Sequence, residues 1–338
     1  MSNLNLRAVR PTLESGRYDF VDCTVLNGQP IIFNFIVQVM ATQMRLLLRV
    51  SLGLATPSAF AHTPSETMAC TWNFAPEVTL PLLLIVAAYV SGILHLQRQG
   101  IRRRMVSSGC CAAFVLGILA LVAALMSPLD RLAEFLFSAH MTQHLVLMLL
   151  APPLLILGRM QTVLLWTFPL RLRRLIGKAI VLRFTVDGPS RPFSVWWLAS
   201  AAMWFWHIPG PYAWALHHPS IHILEHLSFF LTSLAFWSLA LRPFSRAKNG
   251  HGVALMLLIG FALESSLLGA LLVFAGHPFY ALHMLQTSRP LPTFLSAISP
   301  LQDQQLAGLI MWVPAGLVPA AALVAVFADL LAIPQRRR

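Results

Sequence analysis

Charge is scarce in this sequence. Only 11% of its 338 residues are Asp, Glu, Lys or Arg, less than half the share usual in soluble domains. Carboxylates are the scarcer sign, with 12 Asp and Glu against 24 Lys and Arg. A chain that is 57% hydrophobic and so short of charge cannot dress a water-facing surface, which excludes an ordinary soluble protein. A net charge of +12 would suit nucleic acid if it gathered on one face or tail. Here the arginines cluster between apolar runs, which argues against a nucleic-acid partner. Cysteine is also scarce. Cys23 and Cys70 stand alone, and Cys110 and Cys111 are adjacent within an apolar run. Without CxxC or CxC, that spacing signals neither a disulfide framework nor a thiolate metal site. The Cys110–Cys111 pair suits small residues at a helix contact. No nucleotide motif and no nucleophile–base constellation is present, so neither a nucleotide-driven pump nor a hydrolase is indicated, and no enzyme is expected.

The first 43 residues differ from the rest, being mixed in character and weakly patterned. Residues 44–61, MRLLLRVSLGLATPSAFA, have a basic start at Arg45, an apolar stretch, a breaker at Pro57 and a small-x-small end at Ala59–Ala61. That is the outline of a bacterial secretory signal peptide. The expectation is that translation begins at Met44, that residues 1–43 are a misassigned extension, and that residues 62–338 are the membrane domain. Cleavage after Ala61 would leave His62 first, its free α-amine and imidazole together able to chelate a cupric ion.

What the chain does have is long apolar runs. About 20 apolar residues are needed to cross the roughly 30 Å hydrocarbon core as a helix. Seven stretches are assigned as spans, near 78–97, 106–126, 137–158, 193–209, 222–242, 252–275 and 305–332. The stretch near 160–170 is too short and is placed at the interface. The connections alternate in charge. QRQGIRRR, the linker from Arg159 to Arg191, RPFSRAK and the terminal QRRR hold the basic residues, while the other side has only Arg131 and Arg289. By the positive-inside rule the basic connections are cytoplasmic. The expected architecture is an all-α seven-transmembrane bundle in a bacterial inner membrane, N-terminus outside and C-terminus cytoplasmic.

Histidine distributes in the opposite sense. Of 12 histidines, only His95 and His251 fall on the cytoplasmic side. His140 and His144 open the third span, and His222 and His226 open the fifth. Residues four apart lie on one face of a helix, so each pair is a stripe of two imidazoles. His207 ends the fourth span at the same level, Asp303 opens the seventh, and Met311 lies about two turns deeper. Polar groups at such depth are costly unless paired, and they face the bundle interior. Three readings fit: a metal site, interhelical hydrogen bonding, or rings at the headgroup level where water satisfies them. His217, His218, His277 and His283 fall in loops and are expected in water. Glu264, in the middle of the sixth span, needs a partner that the sequence does not name. Pro152 and Pro153 break the third span and release backbone carbonyls that other groups must satisfy.

Three segments, HMTQHLVLMLLAPPLLILG, WHIPGPYAWALHHPSIHILEHLSFFLTSLAFW and DQQLAGLIMWVPAG, together resemble the CtaG-like multi-span cytochrome c oxidase assembly factors of bacteria. The resemblance covers residues about 72 to 333. It implies seven spans and a role in maturing haem–copper oxidases through copper delivery. The motif positions it carries over are His140, His144, His207, His222, His226, Asp303 and Met311. Imidazole and thioether suit copper better than magnesium or calcium. The implied partners are cytochrome c oxidase subunits, the lipid bilayer and a periplasmic copper chaperone. An unrelated single-span copper chaperone shares the name but uses a Cys-x-Cys site that this chain lacks. Two alternatives stay open on the residues alone: a haem-binding electron carrier with histidines as axial ligands, and a metal or ion transporter using Glu264 and the broken third span.

Overall fold

The computed structural model describes residues 71–176, 190–241, 250–280 and 298–332, and every regular element among them is helical. The extension 1–43, the signal peptide 44–61, His62 and His283 lie outside the described residues. Among the described residues, six helices are long and apolar enough to cross a membrane: Pro76–Arg98 (α1), Ser108–Leu125 (α2), Phe137–Leu157 (α3), Pro219–Ala240 (α7), Gly250–Val273 (α8) and Pro300–Leu331 (α9). Between α3 and α7 the described residues include the shorter helices Met160–Thr167 (α4), Ser190–Trp206 (α5) and Pro209–His217 (α6), besides a helical run over 170–176. The fourth expected span corresponds to α5. Its 17 residues reach only about 25 Å at 1.5 Å per residue, and it stops before Pro209. The stretch near 160–170 is α4, which packs along α1, with Thr167 Oγ1 donating to Ala88 O at 2.8 Å.

Such runs become helices because lipid offers no partner to backbone N–H and C=O, so each group must be satisfied within its own segment. What they bury then depends on their neighbours. The 18-residue core of α3 is 100% buried, whereas that of α1 is only 17% buried. Thus α3 is the central helix. Helix α1 lies on the periphery and presents Leu80, Leu83, Leu84 and Val90 outward. Similar apolar rows on α8 (Met256, Leu263, Leu267) and α9 (Leu309, Val313, Leu317) are exposed. Exposed apolar surface on this scale marks a lipid-facing belt, as expected of a multi-pass membrane protein.

A central helix with two prolines needs a remedy, and α3 has one. A π-helical turn, Val146–Leu150, precedes the final α-helical stretch, Ala151–Leu157. In α geometry Met148 O would accept from residue 152, and in π geometry from residue 153. Both are prolines with no N–H to give. The indole Nε1–H of Trp237 on α7 donates to Met148 O at 2.9 Å, so the released carbonyl is satisfied from the neighbouring helix.

Helices α8 and α9 pack against each other along their length. His251 Nε2 lies 3.0 Å from Asp329 Oδ2 at one end, and Gln304 Oε1 accepts from Phe279 N at 2.6 Å at the other. Between them the backbones come close at Gly269 and Gly308. A Cβ on Gly308 would fall 2.8 Å from Leu272 Cβ and 2.9 Å from Gly269 O, where neither can yield. Gly308→Leu is therefore expected to lower the unfolding midpoint in detergent by several degrees through overpacking. Gly316→Leu, where an added Cβ meets nothing within 4 Å, should leave it nearly unchanged.

Glu264 has its partner across a helix contact: Ser200 Oγ on α5 donates to its Oε1 at 2.8 Å. It is thereby tied into the α5–α8 packing.

Candidate metal centre

The two histidine stripes face each other. On α3 the His140 and His144 rings are 4.4 Å apart, and on α7 the His222 and His226 rings are 4.2 Å apart. Across the helix pair, His140 lies 5.3 Å from His222, and His144 lies 5.3 Å from His226. Helix order alone did not require this. It follows because α7 packs on the same face of central α3 that carries the i, i+4 pair.

Glu225 joins them, and sequence reasoning missed it. It is fully buried, with Oε1 3.6 Å from His144 Nε2 and Oε2 3.9 Å from His140 Nε2. Those separations are too long for hydrogen bonds. They are closer to the roughly 3.3 Å between two ligand atoms that each sit about 2 Å from a tetrahedral ion. Two sets of ligand atoms, His140–His222–His226 and His140–His144–Glu225, each fall within 4.8 Å of one another. The signal was present in HILEH, since Glu225 is three residues after His222 and so shares its face.

The polar atoms here lack the usual partners. Both ring nitrogens of His144, Nε2 of His222 and of His226, and both carboxylate oxygens of Glu225 are buried with no hydrogen-bond partner among the described residues. Leaving such a group unmade costs about 1–3 kcal/mol, and native interiors rarely tolerate it without a bound ion or water. So many convergent donors in one place fit a cation that accepts several lone pairs at once.

His207 flanks this group, its ring 6.1 Å from that of His144. Its Nδ1 lies 2.6 Å from Met203 O. A carbonyl can only accept, so Nδ1 carries the proton and the neutral ring's Nε2 keeps a lone pair. That lone pair points at Met141 Sδ, 3.3 Å away. An imidazole nitrogen and a thioether sulfur therefore stand side by side, a soft pair suited to cuprous copper. Met141 lies inside HMTQH and was overlooked because Met311 occupied the place of the thioether. The turn at His207 is held by Tyr280, whose hydroxyl donates to His207 O. Burial pushes the Tyr280 hydroxyl above its ordinary range, so it stays protonated and able to donate. Phe137, Tyr212 and Tyr280 form an aromatic roof, with Tyr212 edge-on to His140 at 5.3 Å.

Asp303 and Met311 have other surroundings. Asp303 is 1% exposed, and its carboxylate accepts from Phe137 N at 2.6 Å, Ser138 N at 3.2 Å and Ser138 Oγ. It caps the N-terminus of α3 from α9, where a carboxylate complements the exposed N–H groups and the helix dipole. Met311 is buried in α9, and no metal-ligand set among the described residues includes Asp303. His217, His218 and His277 are exposed, as expected, but His217 is the last residue of α6 and His218 occupies the N-cap position of α7, so those two stand at a helix–helix junction rather than in an open loop.

An all-helical architecture with six helices among the described residues long and apolar enough to cross a membrane, and a buried imidazole–carboxylate cluster among them, defines a multi-pass membrane protein. Residues 87–332 match the family described as cytochrome c oxidase caa3 assembly factor, Caa3_CtaG, and the chain belongs to that family. No curated protein and no solved structure matches it.

Proposed function

We propose that the protein is a copper-binding assembly factor for cytochrome c oxidase, holding the ion near the outer face of a bacterial inner membrane and passing it on without catalytic turnover. In this reading α5 completes a seven-span bundle with the N-terminus outside and the C-terminus cytoplasmic. The basic connections support that direction by the positive-inside rule. The partners are oxidase subunits in the bilayer and a periplasmic chaperone as donor.

The observation that carries the metal reading is the set of unpartnered ligand atoms on His144, His222, His226 and Glu225. Imidazole with carboxylate suits cupric copper, and the His207–Met141 pair suits cuprous copper. Haem fits less well. A porphyrin needs an open slab between its axial imidazoles, and here five pairings among His140, His144, His222 and His226 put the ring centroids only 4.2 to 5.8 Å apart.

Metal content and the visible spectrum of the detergent-purified protein test this, beside a variant with His140, His144, His222 and His226 all changed to alanine. Stoichiometric copper lost in the variant, with no Soret band, is the expected result. A Soret band lost in the variant would replace copper with haem. Neither copper nor haem in the unaltered protein would return the histidines to interhelical bonding.

A further inference from the structure

A cavity of about 490 Å³ leads from the surface to the histidines. Its inner wall carries His140, His222, His226 and Gln143, and its outer part carries Glu77, Asp130 and Glu134. No lysine or arginine is among the described residues that line it. In a chain with twice as many basic as acidic residues, three carboxylates stand around one opening, and with Glu134 paired to Arg131 at 2.9 Å the excess of the rarer sign comes from Glu77 and Asp130.

Gln143 shows what this cavity receives. Its side chain is fully buried. Its Nε2 donates to Ala124 O at 2.8 Å and to Asp130 Oδ1 at 3.0 Å. Both partners are acceptors, so the amide cannot be reversed, and Oε1 must take the other side. That oxygen has no hydrogen-bond partner among the described residues. His222 and His226, residues of the same cavity wall, each have a buried Nε2 with no hydrogen-bond partner among the described residues. Asp130 is itself held in place, its Oδ2 accepting from Asn73 Nδ2 at 2.8 Å. The lining therefore runs from carboxylate residues at the exposed end to a buried glutamine and histidines at the inner end, whose unpartnered oxygen and nitrogen atoms lie at or just behind the wall. Ligands change from hard to softer along the way, in the order a hydrated cation would shed its water.

We propose that this acid-mouthed cavity is the loading route of the metal site, admitting a hydrated cation that passes Gln143 Oε1 before reaching His140, His222 and His226. The proposal rests on the metal-binding reading above. A mouth of one charge sign focuses counter-ions and raises their association rate, and salt weakens that effect.

The test is the rate at which metal-depleted, detergent-purified full-length protein takes up added cupric ion, read by stopped-flow at low and high ionic strength. The variants are Glu77→Gln with Glu134→Gln, and Glu77→Lys with Glu134→Lys. Glu134 is a surface side chain paired with Arg131 at 2.9 Å, and the glutamine pair preserves shape at both positions. The neutral pair should load roughly tenfold more slowly at low salt and the lysine pair more slowly still, with equilibrium affinity unchanged and the difference shrinking at high salt. If the unaltered protein binds copper and both variants load at its rate, the loading route is wrong and the metal site stands. If the unaltered protein binds no copper, the metal reading fails and the route falls with it.

Discussion

Asp303→Ala should be among the most damaging single substitutions, removing stability and metal binding together. The carboxylate accepts from two backbone N–H groups and one hydroxyl at the start of α3, and every residue of that helix is buried. Truncation strands those donors away from water. Loss of a cap and of buried hydrogen bonds costs on the order of 3 kcal/mol. Because His140 and His144 lie near the start of α3, fraying there moves two of the five residues of the proposed ligand set. Asp303→Asn separates capping from ligation. Asparagine is itself a good cap, so the substituted protein should keep most of its thermal stability and most of its copper. Thermal unfolding in detergent with copper content of the same samples decides it. Copper lost from a fully stable Asp303→Asn protein would instead make Asp303 a ligand.

Glu225→Gln should affect two measurements differently. In metal-free protein the carboxylate is buried and has no hydrogen-bond partner among the described residues. A buried carboxylate with no hydrogen-bond partner is costly to keep out of water, and the isosteric amide carries a smaller desolvation cost, so metal-free stability should be unchanged or higher. If the cluster holds copper as proposed, the same change removes its one carboxylate among the described residues. Cupric affinity should then fall roughly 100-fold, equivalent to about 2.7 kcal/mol. Cuprous affinity should fall less, because the His207–Met141 pair does not involve Glu225. Thermal stability without metal and copper titration in both oxidation states measure these effects. A metal-free Glu225→Gln protein less stable than the parent, with unaltered cupric affinity, would make Glu225 a structural group.

Much of this protein is legible from composition and spacing. Scarce charge and long apolar runs demand a membrane protein, and lipid demands helices because it cannot satisfy an open backbone. HMTQH and HILEH each place two imidazoles on one helical face, since four residues nearly complete a turn. Three ordered motifs pointed to the oxidase assembly family, and the family match over residues 87–332 agrees. These features are local, or are sums over the chain, and need no knowledge of which helix meets which.

Tertiary packing decided the rest. Only the approach of α9 to the start of α3 turns Asp303 into a cap. Only the seating of α7 against α3 brings Glu225 between the histidine stripes and Trp237 to the carbonyl that Pro152 and Pro153 leave open. Met141 gains its role because the turn after α5 delivers His207 to it. A side chain's type and face are written in the sequence. Its partner is set by contacts between segments far apart in the chain, and in lipid those contacts follow from close packing and polar pairing rather than from hydrophobicity, which every helix here shares.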